Sequence, residues 1–179
     1  MCNNNDIYFM KLALSEAEIA AKEDEVPVGA VLVSEEGKVL ARAHNRTITD
    51  CDPTAHAEVL VIRAATKIIR NYRLLKTVLY VTIEPCIMCM GTIILARISR
   101  VVYGAEDARW GAAGSLYDLS KDRRLNHTVE VTGGVLQERC RQLIRDFFRA
   151  RRRYHDQSRI RFLTGVDHGQ HSNRGNSMG

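Results

Sequence analysis

The stretch Thr77-Val-Leu-Tyr-Val-Thr82-Ile-Glu84-Pro85-Cys86-Ile-Met-Cys89 decides the fold. Thr77 to Thr82 is a continuous run of β-branched, aromatic and aliphatic residues, which predicts a buried strand. Pro85 then suits the first turn of a helix, predicted from Cys86 to about Ala96. The two thiols of P-C-x-x-C fall at that helix start, where the positive end of the dipole favours thiolate. A buried strand feeding directly into a helix is the repeating unit of an α/β sheet.

About thirty residues upstream stands Pro53-Thr54-Ala55-His56-Ala57-Glu58. Thr54 is predicted to cap a helix running to about Arg70, with His56 and Glu58 in its first turn. Two residues apart on a helix means side chains about 200° apart, so both serve one site only near the helix end. Together the stretches supply one imidazole, two thiols and a carboxylate. His56, Cys86 and Cys89 make three ligands for a tetrahedral zinc with the fourth position left for water, the arrangement of a catalytic site. Glu58 is the spare carboxylate that moves protons. Blander readings exist. A lone C-x-x-C can be a redox pair, but that needs no H-x-E upstream. A closed Cys₂His₂ site needs a second histidine, and His44 is the only nearby candidate. His56 and Glu58 can also be ordinary surface residues at a helix start.

Working outward, Asp6 to about Lys22 has Ile7, Met10, Leu14, Ala17 and Ala21 at helical spacing, with Asn5 or Asp6 as N-cap. Val28–Val33 and Lys38–Ala43, joined at Glu36-Gly37, predict a hairpin. Arg100–Gly104 is a further strand, Thr128–Thr132 a short last one, and a last helix is predicted from Val135 to Arg153. Between those strands, Ala105 to Ser115 is a loop of a length that is usually functional. It holds the only tryptophan, Trp110. The order predicts one α/β domain, residues 1–155, with helices on both faces of a mixed sheet. Residues 156–179 are polar and expected to be disordered, at least from Thr164.

The chain has 179 residues, 45% hydrophobic and 26% charged, the profile of an ordinary soluble domain with no membrane-spanning run. The N-terminus shows no secretory signal. Five cysteines are an odd number, and two belong to the motif, so a reducing, cytoplasmic location is expected rather than a disulfide framework. From Arg139 to Arg161 there are nine arginines against two aspartates, a local +7 in a chain of net +5. The rest is therefore near −2. Such a segment suits a polyanion partner or, equally, a solvated helix face.

H-x-E with P-C-x-x-C is the signature of the zinc nucleobase deaminases, and tRNA adenosine deaminases are among the enzymes that define it. From about Leu12 to Arg153 the chain resembles the bacterial tRNA-specific adenosine deaminases of the cytidine deaminase-like superfamily. Beyond the zinc motif, the resemblance rests on Glu25-Val-Pro-Val-Gly-Ala-Val31, Asn45-Arg46, Asn71-Tyr-Arg-Leu74, Asp107, Gly111-Ala-Ala-Gly-Ser115 and Asp146-Phe-Phe-Arg149. It implies a three-layer α/β/α sandwich around a mixed five-stranded sheet, one zinc per subunit, a homodimer, and deamination of adenosine to inosine at the wobble position of a tRNA anticodon stem-loop. It also implies that His56, Cys86 and Cys89 bind zinc and Glu58 shuttles the proton. Asn45, Ala57, Asp107, Phe148, Arg149 and Arg152 would contact substrate. Ala108-Arg109-Trp110 departs from the family pattern, which carries a lysine and a smaller residue there; Trp110 either stacks on a base or fills a gap. Two rival functions stand beside this one. One is a deaminase of free cytidine, guanine or a pterin-like base, which has no use for nine arginines near the C-terminus. The other is a non-enzymatic RNA-binding subunit, for which Glu58 would be dispensable.

Overall fold

The computed structural model describes residues 4–164, with side chains to Tyr154. The elements are α1 (Asn4–Lys22), β1 (Gly29–Ser34), β2 (Val39–His44), α2 (Ala57–Ile69), β3 (Thr77–Ile83), α3 (Ile87–Leu95), β4 (Arg100–Ala105), β5 (Glu130–Thr132) and α4 (Gln137–Thr164). The strands form one mixed sheet in the order β2-β1-β3-β4-β5. β1 pairs antiparallel with both β2 and β3, while β3–β4 and β4–β5 are parallel. The parallel β3–β4 pair needs a crossover, and α3 supplies it.

Alternation along the central strands sorts the core into two layers. Ala30 and Leu32 of β1, Leu79 and Val81 of β3, and Val101 and Tyr103 of β4 pack with Val61, Ile62 and Ala65 of α2 and Met90 and Ile93 of α3. The intervening Val31, Val33, Tyr80 and Val102 pack with Phe9, Met10, Ala13 and Leu14 of α1 and with Cys140 of α4. This is the expected three-layer α/β/α arrangement. Gly29 is where α1 crosses β1: a Cβ there would lie 2.1 Å from the carbonyl oxygen of Ala13. Among the described residues no helix is long and apolar enough to cross a membrane.

Four expectations shift. α2 begins at Ala57 with His56 as N-cap, not at Thr54. The hydroxyl and N–H of Thr54 both donate to Asp52 Oδ1 at 2.7 Å, which commits it to a turn before the helix. Likewise Cys86 is the N-cap of α3, so Pro85 precedes the helix. Asp6 is no cap: its buried carboxylate accepts two bonds from Arg100 and one from Tyr80 Oη, each at 3.0 Å. Finally, α4 continues through residue 155, the expected domain end, to Thr164. No glycine or proline interrupts residues 137–164. The remainder of the expected tail, residues 165–179, lies outside the described residues. The chain divides into two compact units at Phe147/Phe148.

Candidate active site

α2 and α3 lie side by side, and each presents its N-cap residue, His56 and Cys86, in extended backbone conformation. Neither side chain makes a capping hydrogen bond at its helix start, so both are free to meet one another. His56 Nδ1 lies 3.8 Å from Cys86 Sγ and 3.5 Å from Cys89 Sγ. The ligand atoms of all three lie within 4.8 Å of one another, a group able to hold a metal ion. Ordinary Zn–S and Zn–N bonds at a tetrahedral angle put nitrogen and sulfur about 3.6 Å apart, so the donor set fits zinc in kind and in spacing.

Hydrogen bonds among the three side chains set where their protons sit. The Cys86 thiol is drawn down to about 4, chiefly by a hydrogen bond from Cys89 and then, against burial, by His56. Cys89 is pushed up by that same hydrogen bond and by burial. His56 is raised by its hydrogen bond to Cys86, which outweighs burial. Glu58 follows in the first turn of α2 and is 2% exposed. Burial raises its pKa above the usual carboxylate value. Its Oε2 is buried without a hydrogen-bond partner.

These groups open on a cavity of about 700 Å³. Asn45, His56, Glu58, Cys86 and Asp107 all line it, with Val26, Val28, Ile83 and Met88 as apolar wall. Cys89 lies behind, fully buried. Asn45 Oδ1 accepts the N–H of Ala57 at 2.9 Å, satisfying an orphan donor at the α2 start. What Asn45 offers the cavity is therefore its Nδ2 donor. Ala57 is fully buried and lies off the cavity wall. Phe148, Arg149 and Arg152 are exposed on α4 in the second unit, whereas the cavity is lined by residues of the first.

Two residues that the motifs alone do not single out hold this site together. Glu84 is 2% exposed and lines the cavity. Its carboxylate accepts the N–H groups of Asp107 at 3.1 Å, Ala113 at 2.9 Å and Ser115 at 3.0 Å, and the Ser115 hydroxyl. It thus fastens the loop after β4 to the start of α3. Gly111 is required there: a Cβ would come within 2.4 Å of Glu84 Oε2. Glu25 is fully buried and does the same for the loop after β2, accepting the N–H groups of Ile48 and Thr49 at 2.9 and 2.7 Å and the hydroxyl of Thr47. The sequence signal for both is an acid set beside an apolar, proline-marked stretch.

Comparison with known proteins agrees with this geometry. Residues 3–105 match the family described as the cytidine and deoxycytidylate deaminase zinc-binding region. The tRNA-specific adenosine deaminase of Haemophilus influenzae is 48% identical over 82% of this chain and 85% of its own. That of Bacillus subtilis is 46% identical over 83% of this chain and 91% of its own. A solved structure from work on A-to-I editing by tRNA:A34 deaminases at the wobble position of transfer RNA superposes with a TM-score of 0.73 at 44% identity, over 76% of this chain and 98% of that one. The chain belongs to the cytidine and deoxycytidylate deaminase zinc-binding family and, within it, to the tRNA-specific adenosine deaminases.

Proposed function

We propose that this protein hydrolyses the exocyclic amine of adenosine at the wobble position of a tRNA anticodon, leaving inosine and ammonia. The observation that carries the chemistry is the unpartnered Oε2 of buried Glu58 beside the His56–Cys86–Cys89 group, within one nucleoside-sized cavity. The choice of substrate is supported by the tRNA-specific deaminases to which the chain is similar across most of its length.

In this reading His56, Cys86 and Cys89 hold the metal. A zinc ion bound by them supplies the acidified water that hydrolysis needs near neutral pH. Glu58 takes the proton of the attacking water and delivers it to the ring nitrogen beside C6 as the C6–O bond forms. It then helps protonate the amine, the C6–N bond breaks, and ammonia departs. A carboxylate whose pKa burial has raised above its ordinary value holds a proton more readily, which suits transfer in both directions. Asn45 donates from Nδ2 to an acceptor of the bound nucleoside, and Asp107 contacts a flanking nucleotide. Phe148, Arg149 and Arg152 meet the anticodon stem-loop, the arginines through its phosphates. An unpaired loop is cheaper to open than a duplex, which suits a site that must take the base out of its stack.

The protein is proposed to work in the cytoplasm as a homodimer. Ile68, Tyr72, Leu75 and Leu95 are exposed, and the Leu74 N–H to Ala96 carbonyl bond joins the segments carrying the last two. Exposed apolar side chains on adjoining segments suit a subunit contact. Light scattering that returned the mass of one chain would remove that part of the reading.

The deciding assay offers purified protein an anticodon stem-loop with adenosine at the wobble position, free adenosine and free cytidine, each with and without chelator. Chelator-sensitive inosine in the stem-loop alone is the expected result. Activity on a free base or nucleoside alone would keep the zinc chemistry and move the substrate to the small-molecule class.

A further inference from the structure

Trp110 lines the same cavity. It is the only tryptophan in the chain, and it is 66% exposed. A tryptophan that filled a gap would be buried, as most of its large apolar surface usually is. The gap-filling alternative therefore fails. The backbone carrying the ring is tied down on both sides. Asp107 Oδ1 accepts the N–H groups of Arg109 at 2.9 Å and Trp110 at 3.2 Å. The next residue, Gly111, pairs with Cys86. An aromatic face on a fixed backbone, with two side-chain torsions to order, loses little entropy on binding.

We propose that Trp110 is a stacking platform for the nucleobase next to the one being deaminated, in the single-stranded loop of the RNA. This rests on the function proposed above. A base that enters the cavity leaves its neighbour without a stacking partner on one side. The indole face on the exposed part of the cavity wall replaces that partner. Any base offers a π-face, so the contact adds affinity with little base preference. A free nucleoside has no neighbouring base, so Trp110 helps the enzyme prefer an oligonucleotide over its isolated nucleoside.

The single tryptophan makes the test direct. Full-length zinc-loaded protein is titrated with the wobble-adenosine stem-loop while its emission is followed. Quenching is expected with the stem-loop and none with free adenosine. Of two stem-loops carrying an abasic site immediately 5′ or 3′ of the target, one loses most of the quench and so names the neighbour. Trp110→Ala raises KM for the stem-loop between about fivefold and a hundredfold, the range for losing one base stack, with a smaller change in kcat. Trp110→Phe recovers most of it. Because the side chain is exposed, neither variant endangers the fold. Unchanged emission while the wild type converts the stem-loop, equal quenching by both abasic stem-loops, quenching by free adenosine, or an unchanged KM in Trp110→Ala would each sink the stacking assignment and leave the deaminase reading intact. Failure of the wild type to convert any stem-loop would remove that reading and this one with it.

Discussion

Glu58 and Glu84 are both buried glutamates on the cavity wall, and their surroundings give them opposite duties. Glu58 keeps an oxygen without a partner; Glu84 spends both of its oxygens on the loop after β4. Replacing Glu58 with Ala removes the proton carrier but no ligand atom. Zinc content, measured by mass spectrometry, should stay near one per chain, while kcat falls by about 10²–10⁴, the usual worth of a positioned acid–base group. Loss of zinc in that variant would make Glu58 a ligand and break the assignment. Glu84→Gln should also keep its zinc, but it turns an acceptor oxygen into an NH₂ group facing backbone donors. A stability loss of about 1–3 kcal/mol is expected, together with a higher KM and lower anisotropy of Trp110 emission as the loop loosens. Unchanged anisotropy would mean that the loop is held by something else. That His56, Glu58, Cys86 and Cys89 come together was legible in the sequence because they sit in two short spans of fixed spacing. The role of Glu84 was not, because its partners lie 23 to 31 residues further on, and only the fold brings them back.

At the scale of elements, the site exists because two helices start at one place with their caps turned outward. Sequence preference favours Thr54 as the α2 cap, and Asp52 takes Thr54 away. The missing cap is supplied from the loop after β2, by Asn45. This separates structure from binding at one residue. Asn45→Ala should cost about 0.5–2 kcal/mol in urea unfolding and also raise KM. Asn45→Asp keeps an acceptor for Ala57 and should recover the stability but, if Nδ2 is the proposed donor to substrate, not the KM. Recovery of both would remove the substrate contact. Glu25 sets the pH dependence of the same loop. Burial acts to raise its pKa, but the hydrogen bonds from Thr49, Ile48 and Thr47 prevail and lower it below 4.5. A depressed carboxylate contributes stability that is complete above its unfolded pKa and fades as pH falls through the folded one. Glu25→Gln should therefore be less stable than wild type at pH 7 by about 1–3 kcal/mol, with the gap closing below about pH 4.5. A gap that stays constant across that range would mean the charge of Glu25 contributes nothing.

For the molecule as a whole, short continuous apolar runs set between stretches of helical period already told of a sheet with helices on both faces, because run length and the 3.6 period are written locally. The length of α4 was not legible from its apolar stripe, since the turns after Phe147 carry arginine where a packed helix carries core. That same composition gives the molecule its charge asymmetry: net +5, with +7 between Arg139 and Arg161. If the basic helix meets an RNA backbone, binding releases counterions, and log KM rises with log salt in proportion to the number of phosphates neutralised. Each contact on a single strand is worth about 0.7 in that slope. The double variant Arg149→Ala/Arg152→Ala removes two charges from an exposed stretch. It should raise KM for the stem-loop at low salt and flatten the slope by up to about 1.4. The chemical step lies on other residues, so kcat at saturating RNA should change far less than KM. Preference among stem-loops of different sequence should hardly change, because phosphate contacts carry no base information. If KM and slope both stay put, the arginines of α4 are a solvated face, and RNA affinity must come from the cavity and the loop that carries Trp110.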